Sequence, residues 1–165
     1  MAFELLKACK FDTGKEFALE PSRLYLKVKD CKFGARADWQ CGRGLRLVWV
    51  LHGSKHIGTS TYKSGDIQLT ACMLAAYQWN YNVLKEYYPD TMLGMKIKGD
   101  DLEFFRMLVT PSYMQALETK LPKEELLVLK TPALKLSNPD DRLQALLHLW
   151  SIRNEGLQLK NVGEN

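Results

Sequence analysis

The stretch LVWVLHGSKHIGTSTYKSGD, Leu47–Asp66, joins an apolar run to a glycine-containing loop and then to a helix-like segment. Its spacing approaches the phosphate-binding pattern G-x-x-x-x-G-K-[ST], with Gly53 and Gly58 at the glycine positions. Thr59 stands where the pattern requires a lysine to meet the β- and γ-phosphates. We also expect the helix to begin only near Asp66, and we expect an antiparallel sheet rather than the parallel strand–helix–strand unit of this motif. The sequence therefore disfavours a nucleotide site, and no cofactor is predicted.

Two strands are predicted upstream of the loop. In residues 22–30, SRLYLKVKD, apolar and polar positions alternate, which predicts a half-buried strand with a basic outer face. Residues 44–53, GLRLVWVLHG, are apolar on both sides and predict a strand near the centre of a sheet. The intervening KFGARADWQCGRG, residues 32–44, is rich in glycine and charge and predicts a long loop.

Three further elements are predicted downstream. The segment Asp66–Pro89 has apolar residues at three- and four-residue steps and predicts the longest helix, started by Ser64 or Asp66. Its aromatic residues, Trp79 among them, are expected to pack in the core with an exposed rim. Residues 93–109 predict a hairpin that turns at Gly99-Asp100.

The last third of the chain predicts a short helix, a strand and a long helix. Thr110 and the following proline mark the start of the short helix, and ELLVLK, residues 125–130, favours a strand. The final helix is capped by Ser137 or Asn138 and is expected to stop at Gly156. Its apolar face is predicted to comprise Leu143, Leu146, Leu147 and Trp150.

These elements predict an α+β fold, in which two or three helices pack on a small, mostly antiparallel sheet. The 165 residues suffice for one compact domain, predicted over residues 23–156. Residues 1–22 are predicted to be a mobile or partner-docking segment and residues 157–165 a tail. The sequence contains no apolar run near 18 residues and no signal-peptide pattern, which predicts retention on the cytosolic side.

The charge of the chain is concentrated in its first part. The net charge is +4, but residues 1–63 hold twelve Lys/Arg against six Asp/Glu, a balance of +6, which leaves −2 for the remainder. Such a segment indicates an anionic partner or, alternatively, a solubilising strand surface. The residues predicted to bind an anionic surface, lipid or nucleic acid, are Lys27, Lys29, Lys32, Arg36, Arg43, Arg46, Lys55 and Lys63.

Metal and catalytic sites are not predicted. Cys31 and Cys41 with His52 and His56 share the histidine spacing of a zinc finger, but nine residues separate the cysteines. The four cysteines are expected to be reduced thiols. No G-x-S-x-G elbow surrounds the histidines, and the paired aspartates fall in a turn and a helix start, so no enzyme and no small-molecule substrate are expected.

The remaining interpretation of the sequence is a binding or assembly protein. Arginines interspersed with Trp39 suit single-stranded nucleic acid through phosphate contacts and stacking. They suit an anionic membrane equally well, and the sequence does not separate the two partners.

The order of a basic strand, RLVWVL, a loop ending TSTYKSGD and a helix with a central tryptophan resembles rhabdovirus matrix proteins. The matching positions are Thr61, Tyr62, Ser64, Asp66, Ala75, Ala76 and Trp79, and the match covers about a quarter of the chain. The sequence differs from that family in lacking the budding motifs P-P-x-Y and P-[ST]-A-P and a lysine-rich N-terminal arm.

The resemblance implies a viral structural protein that self-associates into a lattice, bridges the ribonucleoprotein to the inner leaflet of the envelope and condenses the nucleocapsid. It implies a location in the virion and at the host cytoplasmic membrane surface, with the host nucleus as a further location. The residues expected to make self-association or partner contacts are Phe3, Leu5, Leu6, Trp39 and His56. The alternative is a small viral or phage accessory protein that binds nucleic acid or a host factor.

Overall fold

The structure is a computed structural model that describes residues 2–11, 13, 16–54, 62–85 and 90–158. These residues form an α+β fold, as predicted. The helices are α1 (Ala2–Ala8), α2 (Tyr62–Leu84), α3 (Pro111–Thr119) and α4 (Pro139–Gln158). The strands are β1 (Ala18–Glu20), β2 (Leu24–Val28), β3 (Cys31–Ala35), β4 (Trp39–Arg43), β5 (Arg46–Ser54), β6 (Thr91–Lys98), β7 (Asp101–Leu108), β8 (Leu127–Lys130) and β9 (Leu134–Lys135).

The strands form one large sheet and one hairpin. The large sheet has the order β1-β4-β5-β6-β7-β8, with β9 also pairing with β7, and it is antiparallel except between β5 and β6. The hairpin consists of β2 and β3. Helix α2 packs on one face of the large sheet together with the hairpin, and α1 and α4 pack on the other face.

The connection between β5 and β6 corrects the expected setting of the glycine loop. Trp49–Ser54 of β5 pair in parallel with Leu93–Lys98 of β6, and α2 makes the crossover. Helix α2 begins at Tyr62, earlier than the predicted Asp66. Two of the three arguments against a phosphate loop were therefore wrong, because strand periodicity does not show which strands become neighbours. The third argument stands on the sequence, since Thr59 replaces the lysine; residues 55–61 lie outside the described residues.

The predicted loop over residues 32–44 was wrong as well, because it contains most of β3 and all of β4. Strand β3 is exposed along nearly its whole length, so no apolar alternation marks it. In β4, Gly42 lies at a register shift, and a Cβ there would lie 3.2 Å from the carbonyl oxygen of Arg46. A glycine at such an irregularity allows the two strand backbones to approach closely. In this strand it does not indicate a loop.

Several local predictions are confirmed. The β6–β7 hairpin turns at Gly99-Asp100, where Gly99 has a φ of +62°. The Thr110 hydroxyl accepts a hydrogen bond from the N–H of Tyr113 at the start of α3. Asn138 caps α4, since its Oδ1 accepts hydrogen bonds from the N–H groups of Asp140 and Asp141. Each signal depends on residues close in sequence, which explains its success.

The predicted apolar face of α4 lies on the wrong side of the helix. Leu143, Leu147 and Trp150 are 58%, 55% and 61% exposed, and Leu146 is half-buried. The residues that face the sheet are Ala145, Leu149, Ile152 and Gly156. The helix also continues past Gly156 to Gln158.

The small residues explain which face of α4 docks. A Cβ at Gly156 would lie 3.1 Å from the Phe17 ring and 3.3 Å from Val48, so the helix approaches closely at this point. Ala145 is fully buried on the same side of the helix. Close helix approach depends on small residues at the contact, and a search for large apolar residues overlooks them.

The N-terminal segment is part of the core, in contrast to the predicted mobile or docking role. Leu6, Phe11 and Phe17 are buried, and the Phe11 ring packs edge-on against the Trp49 ring with centroids 5.3 Å apart. Strand β1 pairs with β4 at one edge of the large sheet. The domain therefore includes the N-terminal residues that the structure describes.

Candidate anion-binding groove

A groove of about 590 Å³ lies between the β2–β3 hairpin, the β4–β5 turn and α2. Buried residues, Leu24, Leu47 and Ala75 among them, line its base. Its rim carries Tyr25, 56% exposed, and Trp79, 47% exposed. Exposed aromatic rings beside a concave surface provide flat apolar area at low cost in side-chain entropy, which suits ligand contact.

The hairpin is attached to α2 by a side-chain amide. Gln78 accepts a hydrogen bond of 2.7 Å from the N–H of Lys27 and donates one of 2.8 Å to its carbonyl oxygen. These bonds satisfy both backbone polar groups of one residue, Lys27, on the strand edge that faces the helix. The hairpin is thereby held beside the helix residues that line the groove.

Trp79 is positioned by the β4–β5 turn. Its Nε1–H donates a 3.3 Å hydrogen bond to the carbonyl oxygen of Leu45, which follows Gly44 in that turn. Gly44 has a φ of +58°, a conformation that glycine adopts without steric cost. The hydrogen bond orients the indole at the groove while leaving half of it accessible.

Cationic groups adjoin the rings. The Lys32 Nζ lies 4.0 Å from the centroid of the Tyr25 ring, and Arg23 also lines the groove. Glu20 is the acidic residue of the lining, and its carboxylate accepts a 2.8 Å hydrogen bond from Gln40. The lining therefore combines two cations with two exposed rings, an arrangement that attracts a flat, negatively charged ligand.

Four of the predicted basic residues lie on or beside the hairpin. Lys27, Lys29 and Lys32 are exposed, and Arg36 is exposed directly after β3. Lys29 occupies the hairpin turn with a φ of +52°, and its N–H donates to the carbonyl oxygen of Leu117 in α3. The structure thus brings these four cations to one region of the surface.

The arginines Arg43 and Arg46 have structural contacts instead. Arg43 donates hydrogen bonds of 3.0 and 2.6 Å to the carbonyl oxygens of Gly156 and Leu157, near the end of α4. A cation there satisfies carbonyl groups that have no partner within the helix. Arg46 is buried, and burial together with the charge of Arg43 lowers its pKa. Neither guanidinium is placed as part of an open basic surface.

The described residues that were predicted to contact a partner are buried or half-buried. Leu6 is buried, while Leu5 and Trp39 are half-buried and pack against the core cluster around Trp49. Lys55 and His56 lie outside the described residues, as do the side chains of Phe3 and Lys63. In this conformation the described members of that set stabilise the fold and offer little surface to a partner.

The groove residues Tyr25, Arg23 and Trp79 were not among the predicted site residues. The alternation of β2 placed Arg23 and Tyr25 on the outer face of a strand, and the expected aromatic rim of α2 is confirmed by Trp79. The sequence does not show that the hairpin packs against α2. This contact brings residues about 50 positions apart into one groove. No local pattern encodes such a contact.

A second charged cluster lies on the α2 face of the sheet, away from the groove. Lys96 on β6 and Glu103 on β7 are both 3% exposed and form an ion pair. Asp66 in α2 pairs with Lys96 and lies 3.1 Å from the Nζ of Lys130, which is also 3.1 Å from Glu103. Two lysines and two carboxylates balance one another, so this cluster anchors α2 to β6, β7 and β8 rather than presenting net charge.

The cluster makes stability depend on pH in the acid range. Burial opposes ionisation of Asp66, but hydrogen bonds from Lys96 and Lys130 outweigh it and hold the pKa below its usual value. Because the pKa is lower in the folded than in the unfolded chain, the stabilisation is complete above about pH 5 and is lost as the pH falls through the unfolded-state and then the folded-state pKa.

We therefore expect Asp66→Asn to lower the urea midpoint at pH 7 and to flatten its decline between about pH 5 and pH 2.5. The measurement is a series of urea unfolding curves for the wild type and the variant across that range. A variant whose midpoint declines as steeply as that of the wild type would show that Asp66 does not carry this effect.

Other candidate chemistry is sparse among the described residues. The Asp38 carboxylate lies 3.5 Å from His52 Nδ1 and accepts a 2.6 Å hydrogen bond from the N–H of Gly53. Burial raises the pKa of the Cys72 thiol to about 11, and the nearby Asp38 adds to this, so the thiol is protonated at neutral pH. Over the described ranges, no three His, Cys, Asp or Glu residues are grouped so that they could hold a metal ion.

No helix in the described part of the chain is long and apolar enough to cross a bilayer. Comparison with known proteins adds no relative, since no family model, no curated protein and no solved structure matches the chain. The groove between the hairpin and α2 is the site for which the geometry supports a ligand.

Proposed function

We propose that this chain is a non-enzymatic binding protein whose groove takes single-stranded nucleic acid. The observation that carries the proposal is that Trp79 and Tyr25 are exposed in one groove with Lys32 and Arg23 beside them. Proteins that bind single strands combine stacking rings with cations that follow the phosphate backbone. The groove supplies both within a single concave surface.

The remaining cations extend the groove along the hairpin. Lys27 and Lys29 are exposed on the same hairpin as Lys32, and Arg36 follows its second strand. A strand whose base stacks on Trp79 would place its neighbouring phosphates toward these residues. Binding by such a path is electrostatic and sequence-tolerant, and it weakens with salt.

Removing either ring is expected to weaken binding. A stacked base contributes about 1–3 kcal/mol, so Trp79→Ala or Tyr25→Ala should reduce affinity for a six-nucleotide oligonucleotide about ten-fold. Trp79→Phe keeps a stacking face and should retain most of the affinity. The measurement is fluorescence anisotropy of labelled oligothymidine at several salt concentrations.

Two matched variants serve as controls for this experiment. Trp150→Ala, the control for the two ring variants, removes an exposed indole on the opposite side of the sheet and should leave affinity unchanged.

The second control, Arg106→Gln, is matched to the test variant Lys32→Gln. Lys32→Gln should reduce the salt slope by about 0.7, the value for one phosphate contact on a single strand, whereas Arg106→Gln should not. If Trp79→Ala and Trp150→Ala bind as the wild type does, the groove is not the nucleic-acid site.

A matrix-type assembly protein is the second candidate, and the exposed rings of the hairpin favour it. Phe33 is 55% exposed on the hairpin face that it shares with Leu26, whereas Tyr25, Lys27 and Lys32 lie on the other face. Aromatic and basic residues on one projecting element suit the interface of an anionic membrane. In this candidate the chain self-associates and joins an anionic membrane to a viral nucleoprotein.

Vesicles separate the two candidates. Flotation with phosphatidylserine vesicles that is lost in Phe33→Ser and unaffected by Trp79→Ala would favour the membrane role. Charge-removal variants should be made at Lys27, Lys29 and Lys32, because Arg43 and Arg46 have structural contacts whose loss would perturb the fold. Oligonucleotide binding without flotation would favour the nucleic-acid role.

A further inference from the structure

An apolar stripe runs along the side of α4 that faces away from the sheet. It comprises Leu143, Leu147 and Trp150, each more than half exposed. These residues lie opposite Ala145, Leu149 and Ile152, which are buried against the sheet. Large apolar side chains that line up on one exposed face mark an interaction surface more often than isolated exposed residues do.

The spacing of the stripe is that of a helix–helix seam. Leu143, Leu147 and Trp150 are four and three residues apart, and Asp140 and Asn154 continue the same alternation at either end. Steps of three and four residues correspond to the a and d positions of a coiled coil, a narrower stripe than a helix uses to dock on a sheet. A second helix is therefore the partner that matches this surface.

We propose that the partner helix is α4 of a second copy, packed antiparallel about a two-fold axis at Leu147. In that arrangement Leu143 lies within one residue of the position opposite Trp150 of the other copy, and Asp140 lies opposite Asn154, which can donate to its carboxylate. A parallel pair would instead place the two Asp140 carboxylates against each other. The polar ends of the stripe thus select the antiparallel orientation.

The positions beside the seam are compatible with the same pairing. Gln144 and Ser151 flank the stripe on one side and carry no charge, so the two copies meet there without repulsion. On the other side, Leu146 is half-buried and continues the apolar surface. Arg153 is held by Glu16 at 2.5 Å and is directed toward its own subunit.

The contact leaves the groove accessible. Helix α2 and the hairpin pack on one face of the large sheet, whereas α4 packs on the other. A dimer through α4 would therefore present two outward grooves related by the two-fold axis, and it forms whether or not the groove binds nucleic acid. With three large side chains per copy, the interface is smaller than the roughly 800 Å² per partner of standard complexes, so we expect a weak dimer that forms only at high protein concentration.

Sedimentation equilibrium of the full chain between about 5 and 500 μM tests the association. The wild type is expected to shift from monomer to dimer, and Leu147→Asp to raise the dissociation constant at least ten-fold. Because Leu147 is exposed, the variant should keep the circular dichroism spectrum of the wild type. A wild type that remains monomeric throughout this range overturns the proposal.

Disulfide trapping tests the geometry in a Cys31→Ser background, which removes the exposed native thiol. Leu147→Cys lies on the proposed axis and should form a disulfide dimer under mild oxidation. Asn154→Cys lies far from its copy in an antiparallel pair and should not. Trapping of Asn154→Cys overturns the antiparallel arrangement.

Vesicle flotation tests a lipid surface as the occupant of the stripe. If the chain floats with vesicles, loses flotation in Leu147→Asp and does not dimerise, a lipid surface covers the stripe and the proposal is overturned.

Discussion

Glu103→Ala is expected to lower the free energy of unfolding by about 3–5 kcal/mol, the usual cost of removing one partner from a buried ion pair. Glu103 lies beneath α2, where it pairs with Lys96 and, at 3.1 Å, with Lys130. Its removal leaves Asp66 as the one carboxylate of this cluster for two lysines. Lys96 is almost fully buried, so water cannot replace the missing partner without opening the contact between α2 and the sheet.

An exposed pair provides the control for this result. Arg106 and Glu155 lie 3.1 Å apart, with nearly half of each side chain accessible. Exposed pairs contribute about 0–1 kcal/mol, so Glu155→Ala should cost far less than Glu103→Ala in urea unfolding at pH 7. Equal losses in the two variants would show that the buried position of Glu103 has no special effect.

A double substitution separates the cost of the unpaired charge from the loss of packing. Lys96→Met with Glu103→Leu removes both charges and keeps apolar volume in the core. This variant should recover much of the stability lost in Glu103→Ala, because no uncompensated charge remains between these two positions. A double variant as unstable as the single one would point to packing as the main contribution.

Asn80→Ala is expected to cost roughly 2–4 kcal/mol, because it removes the partners of two buried backbone groups. The buried Asn80 side chain accepts a 2.8 Å hydrogen bond from the N–H of Leu47 and donates a 2.7 Å bond to its carbonyl oxygen. The paired part of β5 and β6 begins only at Trp49 and Leu93, so within the described residues no neighbouring strand pairs with Leu47 on that side. Asn80 takes the place of the missing strand.

Gln78→Ala is the matched control, since the buried Gln78 side chain makes the same pair of bonds to the backbone of Lys27, which lies on the exposed hairpin, and these bonds are only partly buried. Because these two bonds are only partly buried, water can replace the lost side chain at the Lys27 backbone, and the loss should be about 1 kcal/mol. Asn80→Asp replaces the donor to the Leu47 carbonyl oxygen with a buried carboxylate and should be at least as unstable as Asn80→Ala at pH 7. Urea unfolding with an unchanged m-value measures all three variants. A loss in Asn80→Ala no larger than that in Gln78→Ala would contradict this account of Leu47.

The basic patch illustrates how much of the candidate site was predictable. Alternation in β2 correctly placed Lys27 on an outer face, because the period of a strand is a local property. Arg43 belongs to the same run of cations, yet it binds the end of α4, more than 110 residues away in sequence. Net charge over a segment therefore predicted the sign of the surface but not which cations form it.

The local elements of this protein follow from its amino-acid sequence alone. The turn at Gly99-Asp100, the caps at Thr110 and Asn138 and the α+β class follow from contacts within a few residues. Long-range packing sets the parallel pairing of β5 with β6, the side of α4 that is buried and the groove beside Trp79. Each of these depends on which surfaces pack most closely. Two apolar stripes on α4 look alike in sequence, and the one with small residues docks because it allows the closer approach.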